Sequence, residues 1–321
     1  MSSLMATAPK NLIIHAGFHK TGSSTLQVFF TKASQGEIDT NFKFYYPSTG
    51  LTQGWMFAHH DLIALLHENP SSTIDNLKSE LMERSEDYGV ISCEDFCLTR
   101  NIQCLKMIVE AFPESRIKIL FLVRGHDRWV ESMYAEDIKR GRTSEDIWDY
   151  YKRKMKNFSF LKQINRIKSI LPNTVDISVL NFTPATFIQD VSFEIFGTTL
   201  LAELKIWENA SLSVPMTYAL REAYKSQSYN EENLLTYIDR AFRIDKLLKT
   251  PKTYGYLTYE QRVTIFEDHY EESLELSRQY FSINRPFWLP DNKLIYFSTN
   301  AHNGVNDIFL RFLERCPVKL V

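Results

Sequence analysis

Apolar residues recur in two rhythms over the first two hundred positions of this chain. Short, nearly continuous apolar runs of strand length alternate with longer stretches of helical period. Leu12, Ile13 and Ile14 form the first run, Tyr88–Ser92 the second, Arg116–Val123 (RIKILFLV) the third, and residues 175–180, with alternating Val, Ile and Val, the fourth. The third is the most apolar of them, which argues for a central position in a sheet covered on both faces. Residues 42–47 (FKFYYP) read as a further short strand closed by proline. Helical spacing begins where Ser24 and Gln27 fit a capping box, and fades near Gly36. It returns at Trp55, Ala58, His59, Leu62, Leu65 and Leu66, over residues 72–84, and over 101–112 up to Pro113. Asp127 reads as the N-cap of the next helix. Phe158, Leu161, Ile164, Ile167 and Leu171 mark another, and Pro184 and Gly197 bracket one more. This alternation predicts an α/β fold: three layers around a central, mainly parallel sheet. From Ser213 onward the pattern is helical (residues 215–226, 231–248 and 258–280) and rich in aromatics. The expectation is one domain over residues 1–321, with an α/β core at about 11–200 and a helical part at about 201–321 that covers the sheet or shapes a pocket.

Composition changes this picture little. Hydrophobic residues make up 44% and charged residues 24%, an ordinary globular balance that calls for neither disorder nor a fibre. With 37 basic and 39 acidic residues the formal net charge is −2, so no overall field holds nucleic acid or an anionic membrane. A polyanion would have to be held by local groups. The four cysteines (Cys93, Cys97, Cys104, Cys316) form no CxxC pair and do not alternate with histidines at zinc spacing, and are expected to be reduced and mostly buried. His59 and His60 point about 100° apart on a helix, which predicts one packed and one solvated histidine rather than a two-histidine metal face. The first ten residues lack the basic start and apolar core of a signal peptide, and no apolar run approaches the length of a membrane span. A cytoplasmic protein is the expectation.

The candidate chemistry begins directly after the first strand, in HAGFHKTGSSTLQ. A strand feeding a helix through a turn that carries Gly17, Lys20 and Gly22 is an anion site. Helix-start N–H groups and the helix dipole supply partial positive charge, and the Lys20 ammonium a full one. The Walker A order, with lysine after the second glycine, fails here, because Lys20 precedes Gly22 in Lys20-Thr21-Gly22-Ser23-Ser24. The order K-T-G-S-S instead resembles the 5′-phosphosulfate loop of sulfotransferases that use 3′-phosphoadenosine 5′-phosphosulfate (PAPS), in particular the opening of bacterial sulfotransferase-family proteins. A second stretch extends the resemblance: LVR, seven residues, then S-x-Y looks like the 3′-phosphate segment of those enzymes, with Arg124 and Ser132 at the phosphate-holding positions. A guanidinium binds phosphate through two parallel bonds, and a hydroxyl adds a donor. A structural ion pair of Arg124 with Glu94 or Asp95 is the alternative for that arginine. The sequence departs from the cytosolic family pattern at Thr25, where a tryptophan is common, and at His126, where a proline is common. It also has no counterpart of the glycine-rich, basic C-terminal nucleotide loop.

Lys20, Glu94 and Arg124 each follow directly on a strand-length run, so parallel neighbours would bring all three to one edge of the sheet. The resemblance implies a P-loop NTPase-like sulfotransferase fold and transfer of the sulfuryl group from PAPS to a hydroxyl of a glycan or small-molecule acceptor, with no metal required. It implies that Lys20, Thr21, Gly22, Ser23 and Ser24 hold the phosphosulfate and that Arg124 and Ser132 hold the 3′-phosphate. Glu94 is the first candidate for the base, by analogy with glycan sulfotransferases. His19 is its rival, because an imidazole titrates near working pH. His15 reads as a satisfied core histidine. Two alternatives stay open: a P-loop-like kinase whose VISCED acids hold magnesium for ATP, and a catalytically silent nucleotide-binding module. The basic clusters at 139–142 and 152–156 read as a solvated helix face or as a rim for an anionic ligand.

Overall fold

The computed structural model describes residues 9–52, 57–82, 86–199, 211–225, 234–248 and 254–297. In chain order the elements are β1 (Asn11–His15), α1 (Ser23–Ser34), α2 (His60–Glu68), α3 (Pro70–Met82), β2 (Tyr88–Ser92), α4 (Ile102–Ala111), β3 (Arg116–Val123), α5 (His126–Lys139) and α6 (Ile147–Tyr150). They continue with α7 (Phe160–Ile170), β4 (Asp176–Asn181), α8 (Phe187–Phe196), α9 (Val214–Lys225), α10 (Leu234–Leu248), β5 (Tyr254–Gly255), α11 (Tyr259–Asp268), α12 (Tyr270–Leu276) and β6 (Ile295–Tyr296). The described residues group into two compact units. One comprises those within Met1–Arg124, Ser159–Asn209 and Glu275–Arg285; the other those within Gly125–Phe158, Ala210–Leu274 and Pro286–Val321. The chain leaves the first unit after Arg124 and rejoins it at Ser159, so α5 and α6 group with the later helices.

The first unit is α/β. Its four strands are all parallel, in the order β2-β1-β3-β4, with Ile13 opposite Val90 on one side and Lys118 on the other. Apolar side chains fill both faces, as the unbroken runs require. Ile13, Val90, Leu120 and Leu122 pack with Leu26, Phe29 and Phe30 of α1 and with Phe187, Val191 and Ile195 of α8. Leu12, Ile14, Ile119 and Phe121, pointing the other way, are equally buried. Each such side chain contributes about 1.5–3 kcal/mol by leaving water. Phe18 extends the second face into the loop after β1, its ring 5.6 Å from Phe121 and 4.8 Å from Phe160 of α7.

Several local expectations change. The 42–47 segment forms only one parallel bridge to β2, Tyr45 to Gly89, because its apolar residues point into the core beside α1 rather than along a full ladder. The N-cap of α1 is Gly22, not a Ser24 capping box, and Gln27 turns instead to Glu94. Asp127 does not cap α5; Gly125 does, while the buried Asp127 carboxylate accepts from Arg262 Nη1 at 2.9 Å. Residues 258–280 break at His269 into α11 and α12. Trp55, Arg84, residues 231–233 and Cys316 lie outside the described residues.

The second unit is largely helical, with α5 packed on α9 and α11. Arg262 is buried between Asp127 and Glu131, and Glu131 also accepts from the Tyr256 and Leu257 amides. The basic clusters are answered within this unit. Lys139 and Arg140 pair with Glu136, Arg142 and Lys154 with Asp137, and Arg153 with Glu145. This is the behaviour of a solvated, acid-balanced face.

Candidate functional site

Because β2, β1 and β3 are parallel neighbours, the segments that follow them emerge at one edge of the sheet. The loop after β1 stays bound to β3 for three residues beyond the strand: the Ala16 amide donates to Leu120 O (3.0 Å), and the Leu122 amide to Gly17 O (3.0 Å). Gly17, at φ 120°, lies so close to the turn after β2 that a Cβ there would sit 2.9 Å from Glu94 O. Lys20 itself adopts a left-handed φ of 62°, and Gly22 has φ 91°. The Thr21 and Ser23 hydroxyls, both buried, donate back to Phe18 O and fix the turn. Ser24 is exposed on the first turn of α1, whose leading N–H groups have no partners inside the helix.

Arg124 reaches this turn from the end of β3. Its Nη1 donates to the Lys20 carbonyl at 2.9 Å, and its guanidinium lies 5.3 Å from the Phe182 ring centroid. Phe182 in turn covers Gly22, where a Cβ would meet its ring at 2.4 Å. Lys20, the start of α1 and Arg124 are thus brought together by direct contacts. Ser132 belongs to the second unit, half-buried on α5.

The carboxylates after β2 have different partners from those considered for Arg124. Glu94 Oε2 accepts from Gln27 Nε2 at 2.7 Å, while Oε1 lies 3.9 Å from His19 Nδ1 and 3.7 Å from His60 Nε2. Asp95 Oδ1 is 2.9 Å from His19 Nε2, and Oδ2 is 3.3 Å from His60 Nδ1. Hydrogen bonds from His19 and then His60 hold the Asp95 carboxyl well below the usual carboxylate range, and the same carboxylate raises His60 above the ordinary histidine value. An ionised carboxylate only accepts, so His19 Nε2 carries its proton, and in the neutral ring the lone pair is on Nδ1. Both carboxylates are therefore engaged with side chains.

His60 was missed as a site residue. It is half-buried rather than solvated, with Nδ1 3.4 Å from Cys93 Sγ. His59 is the packed member of the pair: its ring accepts from the Ser92 amide and reaches Pro47 O, which fastens the start of α2 to the end of β2. The signal available was the Cys93-Glu94-Asp95 ending of β2, which lacks any sequence neighbour able to pair with it. His15 is fully buried; Nδ1 bonds Ser92 Oγ at 2.8 Å, Nε2 has no partner, and burial lowers its pKa to about 4. Among the described residues no helix is long and apolar enough to cross a membrane.

No family model matches the chain. Over 222 residues it is 26% identical to an uncharacterized protein of Archaeoglobus fulgidus, a match that covers 65% of this chain and 58% of that protein. The chain thus spans somewhat over half of the relative's length. Among solved structures, a sulfotransferase from Alicyclobacillus acidocaldarius aligns over 67% of this chain and 93% of its own, with 12% identity and a TM-score of 0.35.

Proposed function

We propose that the chain transfers a sulfuryl group from PAPS to the hydroxyl of an acceptor. The observation that carries this reading is the contact of Arg124 with the Lys20 carbonyl. It ties the Arg124 guanidinium to the backbone of the Lys20 turn, just before the start of α1, where the K-T-G-S-S and L-V-R segments meet. The donor set suits a nucleotide with two separate anionic groups. Lys20, the α1 amides and the exposed Ser24 hydroxyl would take the phosphosulfate, and Arg124 the 3′-phosphate. Thr21 and Ser23 would contribute through their amides, since their hydroxyls are spent on Phe18 O.

In the reaction the acceptor oxygen bonds to sulfur as the bond from sulfur to the bridging phosphate oxygen breaks, and the acceptor proton passes to a base. Positive charge at Lys20 and the helix start stabilises the departing phosphate, which is electrostatic rather than covalent catalysis. His19 is our first choice for the base ahead of Glu94: Asp95 orients its imidazole through Nε2, as an acid orients a general-base histidine, whereas Glu94 is engaged with Gln27.

The test is thermal unfolding with 3′-phosphoadenosine 5′-phosphate (PAP), AMP, and ATP with or without magnesium. A ligand at about 100 times its dissociation constant adds about 2.7 kcal/mol. Stabilisation by PAP over AMP, lost in Arg124→Ala, is the expected result. Stabilisation by magnesium-ATP alone would refute the reading in favour of phosphoryl transfer.

A further inference from the structure

We propose that the end of β2 is a metal site: His60 Nδ1, Cys93 Sγ and Asp95 Oδ2 hold one zinc-class divalent ion, leaving a fourth position open to water or an acceptor oxygen. The inference is separate from the sulfuryl-transfer reading and does not rest on it.

The geometry is that of converging donors. In a tetrahedral zinc site with metal–nitrogen and metal–oxygen bonds of about 2.0–2.2 Å and metal–sulfur bonds of about 2.3 Å, neighbouring ligand atoms lie roughly 3.3–3.6 Å apart. Cys93 Sγ is 3.4 Å from His60 Nδ1, and His60 Nδ1 is 3.3 Å from Asp95 Oδ2. All three atoms lie within 4.8 Å of one another. One nitrogen of His60 faces both the thiol and the carboxylate, so the three groups do not form a proton relay. A relay, as in a nucleophilic cysteine triad, would set the thiol and the acid on opposite nitrogens of the ring. Cys93 is also fully buried, which suits a ligand better than a nucleophile.

The surrounding shell is equally organised. His60 Nε2, the nitrogen turned away from the donors, faces Glu94 Oε1 at 3.7 Å, beyond hydrogen-bond length but on the side from which a carboxylate orients an imidazole on a metal. The second Asp95 oxygen is held by His19 Nε2 at 2.9 Å. His59, anchored on Ser92 and Pro47, fixes the backbone directly before His60, so the ligand is positioned from both sides. A thiolate, an imidazole and a carboxylate together select a borderline-soft ion rather than magnesium or calcium. The second histidine–carboxylate cluster lacks this geometry. The rings of His126 and His269 stack at 3.8 Å and 11°, so their in-plane lone pairs run parallel and cannot meet at one ion beside Glu272.

Titration of the chelator-stripped full-length chain with Co²⁺ tests the site. The expected result is one equivalent bound, with a thiolate-to-cobalt charge-transfer band and the intense visible bands of tetrahedral cobalt. Cys93→Ser should abolish the charge-transfer band. His60→Gln and Asp95→Asn should each weaken binding at least tenfold, and Glu94→Gln by about 10–100-fold through the outer shell. If Cys93→Ser does not fold, His60→Gln decides. The charge-transfer band absent from wild type, retained in Cys93→Ser, or formed with unchanged affinity in His60→Gln overturns the proposal. The readout is the metal's own absorption, so it fails or succeeds independently of PAP binding.

Discussion

Gly22→Ala isolates the joint between the anion turn and Arg124. Two costs follow from the structure. Gly22 has φ 91°, a conformation that costs an L-residue about 1–2 kcal/mol. An added Cβ would also sit 2.4 Å from one carbon of the Phe182 ring and 3.1 Å from Phe187, so Phe182 must move, at a cost typical of overpacking of about 1–3 kcal/mol. Gly36 is the internal control: φ is 76°, but nothing lies within 4 Å of its added Cβ, so only the backbone cost applies. Denaturant unfolding should therefore show Gly36→Ala destabilised by about 1–2 kcal/mol and Gly22→Ala by about 2–5 kcal/mol. Placing Gly22→Ala on a Phe182→Ala background should recover most of the difference, because the obstructing ring is gone. Phe182 is also the ring beneath the Arg124 guanidinium, so Gly22→Ala should reduce the stabilisation by PAP more than Gly36→Ala does. Equal unfolding free energies for the two single variants would refute the packing argument. Unchanged PAP stabilisation in a destabilised Gly22→Ala would refute the link to Arg124.

His15 is neutral in the fold down to about pH 4, whereas the unfolded chain takes up that proton near 6.5. Its contribution is thus complete above pH 6.5 and is lost as pH falls to about 4, by about 3 kcal/mol in all; His15→Leu should flatten the pH dependence of unfolding over that window and leave it unchanged above. Arg262→Met leaves Asp127 and Glu131 as buried carboxylates and should destabilise by about 3–5 kcal/mol at neutral pH, whereas the triple variant Arg262→Met, Asp127→Asn, Glu131→Gln should recover much of that loss in urea unfolding. On the proposed reaction, His19→Ala and Asp95→Asn should each lower kcat by about 10²-fold or more with PAP binding intact. A larger loss in Glu94→Gln than in His19→Ala would move the base to Glu94.

The first unit was legible because its information is local. Leu12 to Ile14 and RIKILFLV are unbroken apolar runs, and a run buried on both faces can only be a covered parallel strand; the central position of β3 followed from that. Positions decided by distant neighbours were not legible. Gln27 looks like a capping-box residue until Glu94 arrives from β2, and the Asp127 carboxylate looks like an N-cap until Arg262, 135 positions later, takes it. In both cases a charged partner from a distant segment claims the side chain, and a charge-assisted bond is worth about twice a neutral one; Asp127 still accepts from the Arg128 amide at 2.7 Å.

The site divides along the same line. That Lys20, Glu94 and Arg124 share an edge follows from strand order alone, and strand order follows from right-handed crossovers between parallel strands. What each of them does at that edge does not follow. His59 and His60 share no metal face, since His59 turns to Ser92 and Pro47 and only His60 turns toward Cys93. The partners of an imidazole at a helix start are whatever the sheet edge presents, not its sequence neighbour. His60 enters from α2, Cys93 and Asp95 from the turn after β2, and His19 from the loop after β1. Three segments separated by more than thirty residues contribute one cluster, and each side chain alone has an ordinary structural use. Only their convergence distinguishes a site from satisfied single residues; because Glu94 faces His60 as well as His19, Cys93→Ser and His60→Gln are the variants that read the metal alone and His19→Ala the one that reads the base.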